Sequence, residues 1–264
     1  MARRKSAAVD VWVAGLLAAA VALVRVFGGS DEPEPVVRMP LPVVQPVPQP
    51  ANDKAGITLA SGQFVAESGL VAGIPQDRRD GTLHVRYNGL DLTPLAPALD
   101  GRLHFVNAYL VGYVPDAGVA PWVPLYTLAS RKVYQTDRDQ YGYDERWQTS
   151  YEAMHNERGD CEDHALALAD WLIGLGMDAR VVLGTVRGEG HAWVVVREGE
   201  RVFLLESTDK RRVRRWAYPL AELHPEYRPG DMFNRRDWWL NDGSATTDYL
   251  GRHWRRLSAY GTGR

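Results

Sequence analysis

The chain has 264 residues, 45% of them hydrophobic, which is enough for one sizeable buried core with extensions. Its 31 Lys and Arg against 33 Asp and Glu give a formal net charge of -2, so no strong overall field draws it toward nucleic acid. The single cysteine, Cys161, excludes an internal disulfide and a Cys-rich zinc site, and leaves a lone thiol to be explained.

In chain order, Arg3, Arg4 and Lys5 precede an apolar run from Val11 to Val24, which reaches Phe27 if Arg25 snorkels. A signal h-region takes roughly 7–15 apolar residues and a spanning helix ~20, so the run falls between the two. No small-x-small cleavage site follows it. Residues 1–29 therefore read as an uncleaved signal anchor in the inner membrane, in preference to a cleaved signal peptide. The basic residues stay cytoplasmic, which puts the rest of the chain on the periplasmic side. Residues 30–54 are rich in proline and read as an extended stalk. Residues 55–264 are globular in composition and form one domain.

Within that domain, Leu83 to Tyr87 alternates like a strand and closes on Asn88-Gly89. Leu103 to Tyr113 is apolar without a clear period. Trp122 to Tyr134 fits a helix, and the charged, Tyr-rich segment 136–147 reads as a surface loop. Ser150 to Met154 predicts a short helix ended by Arg158-Gly159. Asp160 then stands as N-cap of a strongly helical run through Ile173, stopped by Gly174 and Gly176, with Glu162 and Asp163 suiting the positive end of the helix dipole. Three strands follow, at 179–183, 191–196 and 201–206, so the order is helix and then antiparallel sheet, an α+β fold. Pro225 to Gly230 reads as a connecting loop. The basic and aromatic C-terminal stretch, with Lys210 to Trp216, Trp238-Trp239 and Trp254-Arg255-Arg256, reads as a solvated face that packs around the core; contact with anionic lipid or cell-wall polymer is the alternative.

Cys161 falls in the first turn of the best helix in the sequence, where backbone N–H groups and the macrodipole favour a thiolate. It still needs a base. A two-residue turn at Glu198-Gly199 pairs Arg197 with Glu200 and therefore His191 with Glu206, on one face of the sheet and ~5 Å apart. An imidazole beside a carboxylate is the base-and-orienter arrangement that a Cys-His pair requires. Asp209 fails that register by three residues and is the reserve acid, reachable through a bulge.

The segments Gly159-Asp160-Cys161-Glu162-Asp163-His164-Ala165, Gly190-His191-Ala192-Trp193-Val194 and Leu205-Glu206-Ser207-Thr208 together resemble the transglutaminase-like superfamily, and are most similar to its bacterial transglutaminase-like cysteine proteinases. Tyr143-Asp144 and Trp147 to Glu152 share the likeness, which covers about residues 140–210. The resemblance implies a papain-like core with Cys161 as nucleophile, His191 as general base and acid, and Glu206 as orienting acid at a position where the family usually carries Asp. It implies attack on an amide or peptide bond of a protein or peptide substrate through a thioester. The Cys161 N–H is then one oxyanion donor and Gln148, by residue type, a second. Some relatives bind calcium beside the cysteine, and Asp160, Glu162 and Asp163 match that cluster. Water outside the cell favours hydrolysis, hence a protease or amidase with no required cofactor. An amine-accepting acyltransferase and a non-catalytic binding module that kept the fold are the alternatives.

Overall fold

The computed structural model describes residues 9–13, 54–210, 218–244 and 247–263. The chain builds a mixed α and β architecture around one large antiparallel sheet. Eight strands form it: β2 (Ala55–Leu59), β3 (Phe64–Ala66), β10 (Asp178–Val186), β11 (Glu189–Glu198), β12 (Arg201–Leu205), β13 (Tyr227–Phe233), β14 (Asp237–Asn241) and β15 (Trp254–Thr262). Their order across the sheet is β12-β11-β10-β13-β14-β15-β2-β3. A second sheet joins β1 (Val9–Val13), β4 (Leu83–Tyr87), β5 (Leu90–Asp91), β6 (Leu95–Pro97) and β7 (Leu103–Phe105). Five helices accompany them: α1 (Glu67–Ala72), α2 (Val123–Arg131), α3 (Asp137–Tyr141), α4 (Ser150–His155) and α5 (Cys161–Gly174). The short strands β8 (Val133–Tyr134) and β9 (Arg158–Gly159) pair in parallel just ahead of α5.

Both faces of the large sheet are covered, and strand alternation distributes the side chains between them. Ala192, Val194 and Val196 of β11 join α5 residues Leu166, Ala169 and Leu172 in one core. Trp193 and Val195 point the other way, into a cluster with Val182, Leu204, Met232 and Tyr227. This is why 192–196 carries an unbroken apolar run instead of alternating polarity. A third cluster, with Ile57, Leu83, Leu95 and Phe105, ties the second sheet to β2. Burial of each such Leu, Ile or Phe contributes roughly 1.5–3 kcal/mol relative to exposure.

Helix α5 is buried from Glu162 through Leu172, as a helix apolar nearly all round must be. Its one interior charge, Asp170, is satisfied from three directions. The carboxylate accepts from the Gly112 and Tyr113 N–H groups at 2.8 Å and from Ser150 Oγ and Arg235 Nε at 2.5 Å. One buried carboxylate thereby fixes the helix against α4, the 110–113 segment and the β13–β14 connection.

Several elements differ from the sequence expectation for identifiable reasons. Residues 136–147 hold helix α3 with buried Asp137, because Thr136 caps it by accepting from the Asp139 N–H. Arg158-Gly159 does not end α4: Asn156 does, and 158–159 is strand β9. The 225–230 segment is not a loop, since Tyr227 begins β13, and Pro229, which has no N–H, sits at the irregularity where β13 slips against β10. By contrast Trp238 and Trp239 pack around the core as expected: Trp238 is buried and donates to Asp231 Oδ2 at 2.7 Å, and Trp239 lies under the Arg180 guanidinium at 4.3 Å. Residues 211–217, the rest of the basic stretch, lie outside the described residues, as do 14–53, which include most of the apolar run and the stalk. Val9–Val13, at the head of that run, pair antiparallel with β4. Among the described residues no helix is long and apolar enough to cross a membrane.

Candidate active site and acidic cluster

The position of Cys161 follows from local sequence. Thr149 and Glu152 form a reciprocal capping box that starts α4, and β9 carries the chain on to Asp160 and the first residue of α5, Cys161. The thiol is half-buried and free. Asp160 occupies the N-cap position, but its side chain makes no capping hydrogen bond. Its carbonyl instead accepts from the His164 N–H at 3.2 Å and His164 Nδ1 at 2.6 Å. His164 is buried and held neutral, its pKa pushed down to about 3 by burial and by Lys210 and Lys132. It is a helix anchor and takes no part as a base.

The hairpin that carries His191 folds in a register two residues from the expected one. Glu198 pairs with Arg201 and Val194 with Leu205, so the turn is Gly199-Glu200. Gly199 has φ +63°, the first central position of a type II′ turn, which only glycine fills without strain. A shift of two preserves the face, so His191 and Glu206 stay on the same side and meet diagonally, with Nε2 to Oε2 at 2.7 Å. Gly184 stands opposite His191 on β10, and a Cβ there would come 2.2 Å from the Arg228 carbonyl and 2.7 Å from the Trp193 ring. Glycine at that point lets β13 and the indole close around the base.

Glu206 is buried and accepts on both oxygens: the Thr208 N–H at 3.0 Å and Thr208 Oγ1 at 2.6 Å on Oε1, and the Tyr227 hydroxyl at 3.2 Å on Oε2. Burial alone would raise its pKa, but His191 and the Thr208 donors outweigh that and hold it down at about 2. Burial likewise disfavours a charged His191, and Glu206 together with Cys161 reverses this, so the imidazole is held well above its ordinary range. The thiol is pushed up by burial, while the neighbouring His191 ring and Ala192 N–H pull it down. With Nε2 committed to Glu206, Nδ1 is the ring nitrogen that remains for the sulfur. The structure thus brings Cys161, His191 and Glu206 together. Glu206 holds the place beside the imidazole for which Asp209 was the reserve. Gln148 is buried with both amide hydrogens used, one on the Arg158 carbonyl at 3.1 Å and one on Asp163 Oδ2, so it ties β9 to α5 and has no hydrogen left for an oxyanion.

Asp160, Glu162 and Asp163 lie together, joined by a fourth carboxylate, Asp137, that sequence reasoning missed because 136–147 looked like surface. One oxygen from each lies within 4.8 Å of the others, and all four residues are buried. Asp137 Oδ1, Asp160 Oδ1 and Glu162 Oε1 have no hydrogen-bond partner. Burial and mutual repulsion raise the whole group, Asp137 to about 9 and neighbouring Glu145 to about 8. Lys132, the ammonium beside Asp163, is spent on the carbonyls of Ala153, Asn156 and Arg158 at 2.9–3.2 Å. Oxygens that share one calcium ion at ~2.4 Å are at most ~4.8 Å apart, so these orphaned, all-carboxylate donors fit a hard dication. Calcium there would neutralise the repulsion at the start of α5.

Residues 145–248 match the family model described as the CEP76 peptidase-like domain, which is under half of the chain. Centrosomal protein of 76 kDa from Mus musculus is 35% identical over 106 residues, covering 36% of this chain and 16% of that protein. Its Danio rerio counterpart is 32% identical over 108 residues, covering 37% and 16%. The chain thus spans about a sixth of the length of the curated relatives it matches. Among solved structures, calcium-bound Legionella pneumophila LapG aligns with a TM-score of 0.39 at 19% identity over 52% of this chain and 78% of that one. The EGTA-treated form of the same protein gives 0.37 at 17% identity over 60% and 94%. At these TM-scores the likeness is partial, and the chemistry rests on this chain's own geometry.

Two outcomes follow. Glu206→Gln should cost roughly 1.5–3 kcal/mol of stability, the worth of hydrogen bonds to a charged group. Its melting-temperature deficit should be full between the ordinary carboxylate and imidazole values. It should shrink as pH falls from 4.5 toward 2, where Glu206 protonates, and again as pH rises through the raised value of His191; a deficit flat across pH would contradict the ion pair. Because the acidic cluster binds extra protons when folded, the fold without a cation loses stability as pH rises from the ordinary carboxylate range toward about 9. Calcium should therefore raise the melting temperature of the full chain by about 5 °C near pH 8 and by less near pH 5. Asp137→Asn should blunt that shift, and identical curves in calcium and in chelator would refute the site.

Proposed function

We propose that this protein is a cysteine hydrolase that cleaves an amide or peptide bond from a transglutaminase-like, papain-like core. The observation that carries this reading is one imidazole set between the thiol at the start of α5 and a buried carboxylate whose oxygens are all engaged. Glu206 holds the ring with Nδ1 toward the sulfur and stabilises the imidazolium that forms. His191 takes the thiol proton, and the thiolate adds to the carbonyl carbon. The amine leaves with the proton that His191 returns, and a thioester remains on Cys161. Water, deprotonated by His191, then releases the acid and restores the thiol. Calcium on the acidic cluster supports this by relieving repulsion beside the nucleophile.

In the same reading, residues 1–29 anchor the chain in the inner membrane, with Val9–Val13 released from their pairing with β4 to enter the span, 30–54 lift the domain off it, and the site faces the periplasm. The support is the basic-then-apolar N-terminus and the proline-rich segment that follows.

In the full-length protein, iodoacetamide at mildly acidic pH should alkylate Cys161 at least about tenfold faster than it does in His191→Ala, since only an imidazolium-paired thiol is a thiolate there. Cys161→Ala should take no label. Equal rates with and without His191 would sink the triad. For the location, the chain expressed in a two-membraned bacterium should stay with the membrane in alkaline carbonate and be digested by protease added to spheroplasts. Release into the soluble fraction would overturn the anchor.

A further inference from the structure

Attack on an amide drives negative charge onto the carbonyl oxygen, and two aimed donors are the usual means of holding it. The Cys161 N–H is one, because the first N–H groups of a helix have no partner within it. The second is not Gln148, whose amide is spent on Arg158 and Asp163.

Tyr134 satisfies the requirements that remain. Strand β8 runs parallel to β9 with Tyr134 beside Gly159, two residues before the nucleophile. The Gln135 N–H closes the pairing on the Gly159 carbonyl at 3.0 Å, so the position of Tyr134 is set by the backbone that delivers Cys161. Its ring lies 6.2 Å from that of His164, one turn into α5, at 34°. The residue is 44% exposed, so a substrate can reach it. Among the described residues its hydroxyl has no hydrogen-bond partner, although the other phenols around the site, Tyr227 and Tyr109, spend theirs on Glu206 and the Ala96 carbonyl. Partial burial and the neighbouring Cys161, Asp160, Glu162 and Glu206 hold the phenol protonated.

We propose that the Tyr134 hydroxyl is the second oxyanion donor of this site. As the C–S bond forms, the carbonyl π pair moves to oxygen, and the O–H of Tyr134 and the N–H of Cys161 both donate to it. Collapse returns that pair and expels the amine with the His191 proton. The assignment rests on the cysteine acyl-transfer reading above and names the group that stabilises its intermediate.

The test compares two reagents on the full-length protein with Cys161→Ala as background. p-Nitrophenyl acetate acylates the thiol through a tetrahedral oxyanion, whereas iodoacetamide alkylates it by displacement and forms none. Tyr134→Phe, which keeps the ring and its packing, should slow acylation by about tenfold or more while alkylation stays within about twofold of native. Acylation at the native rate would overturn the assignment, and so would an equal fall with both reagents, which marks a residue that merely positions the sulfur. If the native protein reacts with neither reagent at Cys161, the nucleophile falls and the donor with it. Binding of a peptide aldehyde, whose hemithioacetal carries the same oxygen, is a second readout, expected to weaken in Tyr134→Phe and unchanged if the hydroxyl is idle.

Discussion

The single thiol of the chain sits at the first residue of α5, with buried carboxylates on both sides of it in sequence. Coulomb repulsion at that distance, in a site of low effective dielectric, works against the thiolate. The Cys161 thiol even contacts Glu162, with Sγ to Oε2 at 3.4 Å. Three features counter this repulsion: the helix terminus, the His191–Glu206 pair, and an arrangement of Asp137, Asp160, Glu162 and Asp163 whose unpaired oxygens suit a dication. Burial and mutual repulsion push these carboxyls up from their ordinary range.

The geometry of the candidate site is secured by elements that have no chemistry of their own. Asp170, more than two turns along α5 from Cys161, locks the helix to three neighbours. Lys132 gathers the end of α4 and the start of β9 on its ammonium, and Gln148 links that strand to Asp163. On the sheet, Gly184 leaves the space that Trp193 and β13 fill around the base. Tyr227 then comes within hydrogen-bonding distance of Glu206. A site positioned on a buried helix and a two-sided sheet is held more tightly than one on loops.

Much of this was legible beforehand. Strand β4 has the predicted span, and α5 begins where Asp160 and the acidic first turn said it would. The pairing of His191 with Glu206 came from a turn placed one residue early, and it held because an error of two in register keeps parity: side chains alternate with period two, so the face was right although the partners were not. The II′ preference for glycine at the first central position would have given the correct turn. Asp137 is hidden in a charged and Tyr-rich segment that reads as surface, although Thr136 and Asp139 spell a helix start.

The sequence by itself determined where the thiol, the imidazole and the carboxylate of the site would lie. Each depends on local pattern: a cap before an apolar helix, a tight turn between two apolar strands, and the alternation that puts two side chains on one face. Tertiary structure alone decided what those groups feel. It buried Asp137 beside three carboxylates 23 or more residues away in the chain, spent the Gln148 amide on β9 and α5, and placed Tyr134 beside Gly159. Burial and Coulomb interactions are set by neighbours distant in sequence, and no local pattern reports them.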